Sequence, residues 1–266
     1  MSAVTIDVGD ARLTRVSYAE VDIDPTAVGL TAREVASVAW AAPTWANGTQ
    51  VRVAAAAWIV EHDGAVIVVD PAGAADDLLR AGDDARVHQE AFAASLAAAG
   101  FSRDRVTHAV ATHLDGIGMF GWRTGDAWEA FFPDATLLVS RRELDALDEG
   151  FDAPGREALF ELRAAGVVEP NGERVALTSA VTIEHTGGHN PGHQIVRVES
   201  RGARAVHLGH LAVVPLQLVT GPSPGVDPDA AWATLTKLRD EGGVLLGSLW
   251  PAPGAGRWRL GAFEPA

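Results

Sequence analysis

Chemistry is concentrated in one stretch of the 266-residue chain, Glu184-His185-Thr186-Gly187-Gly188-His189-Asn190-Pro191-Gly192-His193. It places three imidazoles within nine residues, spaced by glycines. Neutral imidazole is a common metal ligand, so this spacing can bring nitrogen atoms close to one ion if further ligands arrive from elsewhere in the fold. A turn carrying surface histidines has the same spacing, and the two readings stand side by side. The chain has no cysteine. Disulfides are therefore excluded, and any metal must be held by His, Asp or Glu.

The elements around this stretch alternate between strand and helix patterns. The β-branched run Ala180-Val181-Thr182-Ile183 predicts a strand that leads into the histidines and breaks at Gly187-Gly188, with Pro191-Gly192 as a further turn signal. Loops on a rigid scaffold are where sites tend to sit. Upstream, Ala11 to Val16 predicts a strand. Residues 24–49, with Pro25, Gly29, Trp40, Pro43, Trp45 and Gly48, predict an excursion whose aromatics pack over something, with a site mouth as one candidate. Ala54 to Val60 and Ala65 to Val69 flank His62-Asp63-Gly64, a hairpin signal. Residues 74–99 predict a helix stopped by Gly100. Val106 to Thr112 predicts a strand running into His113-Leu114-Asp115. Asp134 to Ser140 predicts a strand and Arg141 to Asp148 a helix, followed by polar helix and loop over 150–170. Gln194 to Val198, Ala205 to Leu208 and Val244 to Leu246 are further strand patterns. Asp227 to Asp240 predicts a helix with Asp227 at the N-cap and Pro228 in the first helical position.

Composition narrows the functional classes. Apolar residues make up 47% of the chain, enough for a substantial core. The formal charge is −14, from 35 acidic and 21 basic residues. That argues against nucleic-acid binding, which needs clustered Lys and Arg, and against anionic membrane surfaces. The N-terminal residues lack a signal-peptide pattern, and no apolar run reaches membrane-spanning length. A cytoplasmic protein with a small-molecule partner is expected, and a homodimer is compatible with the sequence.

Taken in order, several segments carry a resemblance. They are Asp70-Pro71-Ala72-Gly73 after a strand, Ala111-Thr112-His113-Leu114-Asp115, Thr186-Gly187-Gly188-His189-Asn190-Pro191-Gly192-His193, Leu208-Gly209-His210, and Trp250 to Gly256. From about Ala54 to Gly256 the chain resembles the metallo-β-lactamase-fold hydrolase superfamily, in its lactonase- and organophosphatase-like branch. The resemblance implies an α/β (α+β) fold of one domain, residues 1–266. This would be a four-layer αβ/βα sandwich with its site at one edge between two mixed sheets, and residues 24–49 would be an excursion over that site.

Measured against the family pattern, the site is depleted. The family has His-x-His-x-Asp-His after the strand, and here only His113 matches the first His. Without a gap, Asp115 replaces the second His, and Ile117 and Gly118 replace the Asp and the third His. With a two-residue deletion, Asp115 is the family's Asp and Gly116 replaces the last His. His189 matches a later metal-binding His, His210 stands where the family has a bridging Asp, and Leu249 stands where a final His is expected. A carboxylate can bridge two cations; a neutral imidazole binds one. What remains is His113, Asp115, His189 and His210, which the resemblance assigns to one divalent ion, Zn²⁺ or Fe²⁺, with a metal-free polar network as the alternative.

These four residues are expected to converge at the sandwich edge, with Ile117 or Leu249, or water near Gly116 and Gly118, in the place of a second metal. The resemblance also implies that Asp70 and His193 support the ligands from behind. A turn-capping role is the other reading of Asp70. His185 and His207 are outer partners or strand-end surface residues, with the surface reading favoured, and His108 alternates with the core face of its strand. His62 and His88 have no site role. Trp40, Trp45, Trp122 and Trp128 are pocket walls or core. Two functions follow. One is a hydrolase of a lactone, ester or thioester in which Asp115 serves as ligand or as general base. The other is a metal-free member, either a non-hydrolytic enzyme of secondary metabolism or a small-molecule binding protein.

Overall fold

The computed structural model describes residues 4–71, 85–114, 120–124, 127–151 and 156–266. Along the first half of the chain run β1 (Val4–Val8), β2 (Ala11–Ile23), β3 (Ala46–Asn47), β4 (Gln50–His62), β5 (Ala65–Val69), β6 (His108–Val110), β7 (Gly121–Thr124), β8 (Ala127–Ala130), β9 (Thr136–Ser140) and β10 (Val168–Asn171). Apart from the small β7–β8 ribbon, they form one sheet in the order β1-β2-β4-β5-β6-β9-β10, with β3 paired to β4. The second half supplies β11 (Arg174–Ala176), β12 (Val181–His185), β13 (Gln194–Ser200), β14 (Ala203–His207), β15 (Val244–Leu246), β16 (Ala255–Arg259) and β17 (Ala262–Pro265), which lie side by side in chain order. Both sheets are mixed. The β5–β6, β6–β9, β9–β10 and β14–β15 pairs are parallel, and most other pairs are antiparallel.

The period-two alternation of side chains sorts each strand between two cores. In β5, Ile67 and Val69 point into the space between the sheets and meet Val60, Val110 and Leu138. Val181, Ile183, Val196, Val198 and Leu246 of the second sheet close this layer. The alternate residues Val66 and Val68 point the other way. They join an outer core with Phe92 and Leu96 of α2 (Ala85–Ala98), which follows the short α1 (Ala32–Ser37). Leu144 and Leu147 of α3 (Arg141–Asp148) and Leu159 and Leu162 of α4 (Arg156–Ala164) belong to the same core. On the second sheet, α5 (Gln217–Thr220) precedes α6 (Pro228–Glu241), and Ala231, Leu235 and Leu238 of α6 share the outer core with Val206 and Leu245. Helix, sheet, sheet, helix is the expected four-layer sandwich. Because both faces of β5 are covered, it reads as a continuous apolar run, as strands buried on both sides do.

This topology gathers chain turns at one edge. The register Val69↔Val110 and the parallel β9 bring the ends of β5, β6 and β9 together, so Asp70, Thr112 and the start of α3 emerge side by side. The loop after β12 and the turn after β14 reach the same edge. Helix α3 and strand β15 have the expected bounds, and Asp227 caps α6 by accepting from the Ala230 amide. The hairpin at Asp63-Gly64 has both residues at positive φ, the geometry of a tight two-residue turn.

Other expectations need correction. The strand expected over Val106 to Thr112 shrinks to His108–Val110, which leaves Thr112 and His113 in irregular backbone. Residues 150–170 end in β10, an edge strand that the polar sequence hides. The β16–β17 hairpin also escapes the pattern, because Ala255-Gly256-Arg257-Trp258-Arg259 has little β-branched character. The N-terminal part of the 74–99 helix lies outside the described residues; its described part is α2. Trp45 is fully buried against Trp250 and Phe263, and Trp40 packs on Trp258 and Phe263, so these two belong to packing and not to a pocket wall.

Candidate metal centre

His113 leaves the end of β6 one residue after Thr112. The Thr112 hydroxyl donates to Asp70 Oδ2 at 2.6 Å, and the Thr112 backbone N–H donates to Asp70 Oδ1 at 2.7 Å. With its proton committed to Asp70, Thr112 Oγ1 accepts from His113 Nδ1 at 3.0 Å. That bond fixes the His113 tautomer, with the proton on Nδ1 and the lone pair on Nε2. Asp70 holds this position with a positive φ of 42°. Only Gly, Asn and Asp take that backbone region readily.

His189 is oriented in the same way from a different loop. Its Nδ1 donates to the Pro224 carbonyl at 2.8 Å, which again leaves the lone pair on Nε2. Gly225 is what lets this loop approach, because a Cβ there would lie 2.5 Å from His189 Cα. The 24–49 excursion touches the same loop: a Cβ on Gly29 would lie 2.5 Å from Pro224 Cγ. His210 sits in the 3₁₀ turn Gly209–Leu211 after β14, with φ −94° and ψ 19°, a sparsely populated region that active-site residues often occupy. Its carbonyl accepts the Ser223 hydroxyl.

The three rings meet. Each of His113, His189 and His210 offers one nitrogen, and these atoms all lie within 4.8 Å of one another. Ring centroids are 4.1 Å apart for His113–His210, 4.9 Å for His113–His189 and 5.3 Å for His189–His210. Among the sequence-predicted residues, the structure brings these three together from three separate elements. Asp115, Gly116, Ile117 and Gly118 lie outside the described residues. Leu249 is buried in the outer core.

His193 is adjacent but serves differently. It is fully buried, donates from Nδ1 to Thr186 Oγ1 at 2.7 Å and accepts the His210 backbone N–H on Nε2 at 3.2 Å. Burial, reinforced by His113, His189, His210 and His185, holds its pKa well below the ordinary histidine value.

His207 corrects an expectation. It is buried at 2% exposure, not a surface strand-end residue, because β14 is a central strand and its end is roofed by Ser248. Burial, partly offset by Asp70, pushes its pKa down to about 4. Ser248, His207 and Asp70 have the order of a nucleophile–base–acid set, with Ser248 Oγ 2.8 Å from Nε2 and Asp70 Oδ2 3.8 Å from Nδ1. The bonds run the wrong way for that chemistry. The Gly209 N–H donates to Nδ1 at 3.3 Å, so Nε2 carries the proton and Ser248 accepts it. His185 donates from Nε2 to the Pro191 carbonyl at 3.1 Å and lies beside Glu173. His62 is buried rather than exposed in its turn, bonded to Thr178 Oγ1 at 2.9 Å.

Several partners were not legible beforehand. Gln194 is fully buried and joins the sheets: it donates to the Ala111 carbonyl at 2.7 Å and accepts from Asn171 at 2.7 Å. Glu143 is fully buried between the His113 and His189 loops. Its only sequence signal, Ser140-Arg141-Arg142-Glu143, has the spacing of a helix capping box and points elsewhere.

The donor set fits a divalent ion. Both rings whose partners are fixed turn their Nδ1 protons toward protein oxygens and present Nε2 lone pairs, the arrangement in which protein groups behind a histidine orient it as a ligand.

No family model and no curated protein sequence matches the chain. Solved structures do. The hydrolase AbOPH of the β-lactamase superfamily superposes with a TM-score of 0.76 at 19% identity, covering 99% of this chain and 97% of its own. AidC, described as a dizinc quorum-quenching lactonase in complex with an N-acyl homoserine product, gives 0.72 at 19% identity over 100% and 97%. A probable metal-dependent hydrolase from Staphylococcus aureus gives 0.71 at 16% identity over 98% and 99%. This likeness over nearly the whole of each chain shows that the chain has the metallo-β-lactamase fold.

Proposed function

We propose that the protein is a hydrolase of a small lactone, ester or thioester that works with a single divalent ion, Zn²⁺ or Fe²⁺, held by His113, His189 and His210. The observation that carries this reading is the convergence of three imidazole nitrogens from three elements, two of them with their tautomer set for ligation. Bound there, such an ion supplies Lewis-acid polarisation of an acyl oxygen and lowers the pKa of water.

The chain's own residues do the rest. Asp70 and Thr112 hold the His113 proton away from the ligand face, and Pro224 does the same for His189. Asp115 is proposed as a fourth ligand or as the base that takes a proton from water and returns it to the leaving group. AidC is described as dizinc. Here the bridging carboxylate position holds His210 and the final ligand position holds Leu249, buried among apolar side chains, so one ion is proposed in place of two.

Metal analysis of purified protein, with a panel of lactones, esters and thioesters, tests this. One ion per chain, lost in His189→Ala, and chelator-sensitive hydrolysis are expected. Two ions per chain would refute the single-ion site. Metal-free protein with chelator-insensitive function would replace this reading with a metal-free enzyme or binding protein.

A further inference from the structure

Glu143 is a buried ionisable side chain that the proposed chemistry leaves unused. It sits in the first turn of α3, where a Glu of a capping box would return to its own helix start. Ser140 makes no side-chain cap bond, and the buried Glu143 carboxylate bonds to other loops instead of its own helix start. Oε1 accepts from the Leu114 backbone N–H at 3.0 Å and from Asn190 Nδ2 at 3.0 Å. Oε2 accepts from the Gly192 backbone N–H at 2.8 Å. Asn190 also donates to the Leu114 carbonyl at 3.1 Å. Leu114 follows His113, and Asn190 follows His189. The two loops therefore meet at one carboxylate, whose hydrogen bonds go to the neighbours of the clustered histidines.

The approach is close. A Cβ on Gly192 would lie 2.3 Å from the Glu143 backbone nitrogen, so only glycine lets the histidine loop seat on this helix turn. Burying a carboxylate is costly unless donors surround it. Three donors from two loops meet that need, and the carboxylate holds the loops in return.

We propose that Glu143 is a positioning residue whose carboxylate fixes the His113 ring relative to the His189 ring. The consequence for metal affinity rests on the single-ion reading; the ring placement does not. Gln is nearly isosteric but must present an NH₂ group to one of the donors, so Glu143→Gln breaks the junction without emptying the space.

The test uses the full chain as Glu143→Gln and Asn190→Ala. Imidazole nitrogen resonances are followed in metal-free protein, with His62, bonded to Thr178, as the internal reference. Zn²⁺ affinity is measured by competition with a chelator. The expected result is displaced His113 and His189 resonances, an unmoved His62 resonance, and Zn²⁺ affinity reduced by roughly 10–100-fold. Folded Glu143→Gln with unmoved His113 and His189 resonances overturns the proposal. If Glu143→Gln does not fold, Asn190→Ala decides on the same resonances. Wild-type protein that takes up no Zn²⁺ defeats the single-ion reading alone, and the resonances still decide the role of Glu143.

Discussion

The backbone N–H of His210 donates to Nε2 of His193 at 3.2 Å, and this bond separates the clustered histidines into two kinds. His193 lies within 5.7 Å of the His113 ring and 5.8 Å of the His189 ring, near enough to be taken for a ligand. Both of its nitrogens are engaged inside the protein, one donating to Thr186 and one accepting from His210. Its work is to hold the turn that presents His210.

His193→Phe keeps the ring volume and removes both bonds. The stranded His210 N–H costs about 1–3 kcal/mol, while the Thr186 hydroxyl keeps its bond to the backbone carbonyl of residue 193. Chemical denaturation is expected to register that loss, and metal competition a fall in affinity of roughly 10–100-fold. X-ray absorption on metal-loaded wild type and variant counts the nitrogens. If the variant has one nitrogen fewer, His193 is a ligand and this assignment is wrong.

Thr112→Val tests the link from Asp70 to His113. The substitution conserves shape, removes the acceptor of the His113 Nδ1 proton and leaves Asp70 Oδ2 without its 2.6 Å donor. Metal affinity is expected to fall by roughly 10–100-fold while the ligand count is unchanged. Affinity equal to wild type would show that His113 does not depend on this relay.

Much of the architecture was legible because period and punctuation carried it. Arg141–Asp148 and Val244–Leu246 coincide with their sequence patterns, and the Asp227 cap is local chemistry. The edge strand β10 and the β16–β17 hairpin were not legible, because Val168-Glu169-Pro170-Asn171 and Ala255 to Arg259 pair through tertiary context and not through β propensity. In the site, the histidines were visible as residue types. Their holders Thr112, Ser223 and Glu143 were not, because hydrogen bonds between residues such as Glu143 and Gly192, 49 positions apart, leave no periodic trace. The burial of His207 escaped for a related reason: its partner Ser248 is 41 positions away.

Gly209 offers a packing test with a built-in comparison. Its φ is +55°, and a Cβ would lie 2.5 Å from His193 Nε2 and 2.6 Å from Thr112 Oγ1. Gly202 has φ +78° but no atom within 4 Å of the same construction. Gly202→Ala is expected to cost about 1–2 kcal/mol from backbone conformation alone. Gly209→Ala adds overpacking of about 1–3 kcal/mol and displaces two groups that orient ligands. Equal destabilisation of the two variants in thermal unfolding would mean that the close approach at Gly209 is absent.

The buried imidazoles predict an acid limb in the stability of the metal-free protein. His207 has a folded pKa of about 4 against an ordinary 6.5, and burial holds His193 well below the ordinary value too. Because the folded pKa is the lower one, the unfolded chain binds protons first as pH falls. Stability is therefore full above the unfolded value and declines as pH drops toward the folded one. Between pH 7 and pH 5 the loss from His207 is about 2 kcal/mol, and His193 adds a loss of the same sign. Urea denaturation in the presence of a chelator measures it as a falling midpoint with an unchanged slope. His207→Gln, which can still bond Ser248, is expected to remove about 2 kcal/mol of that decline. A midpoint flat from pH 7 to pH 5 in wild type would place both rings in contact with water, contrary to their burial.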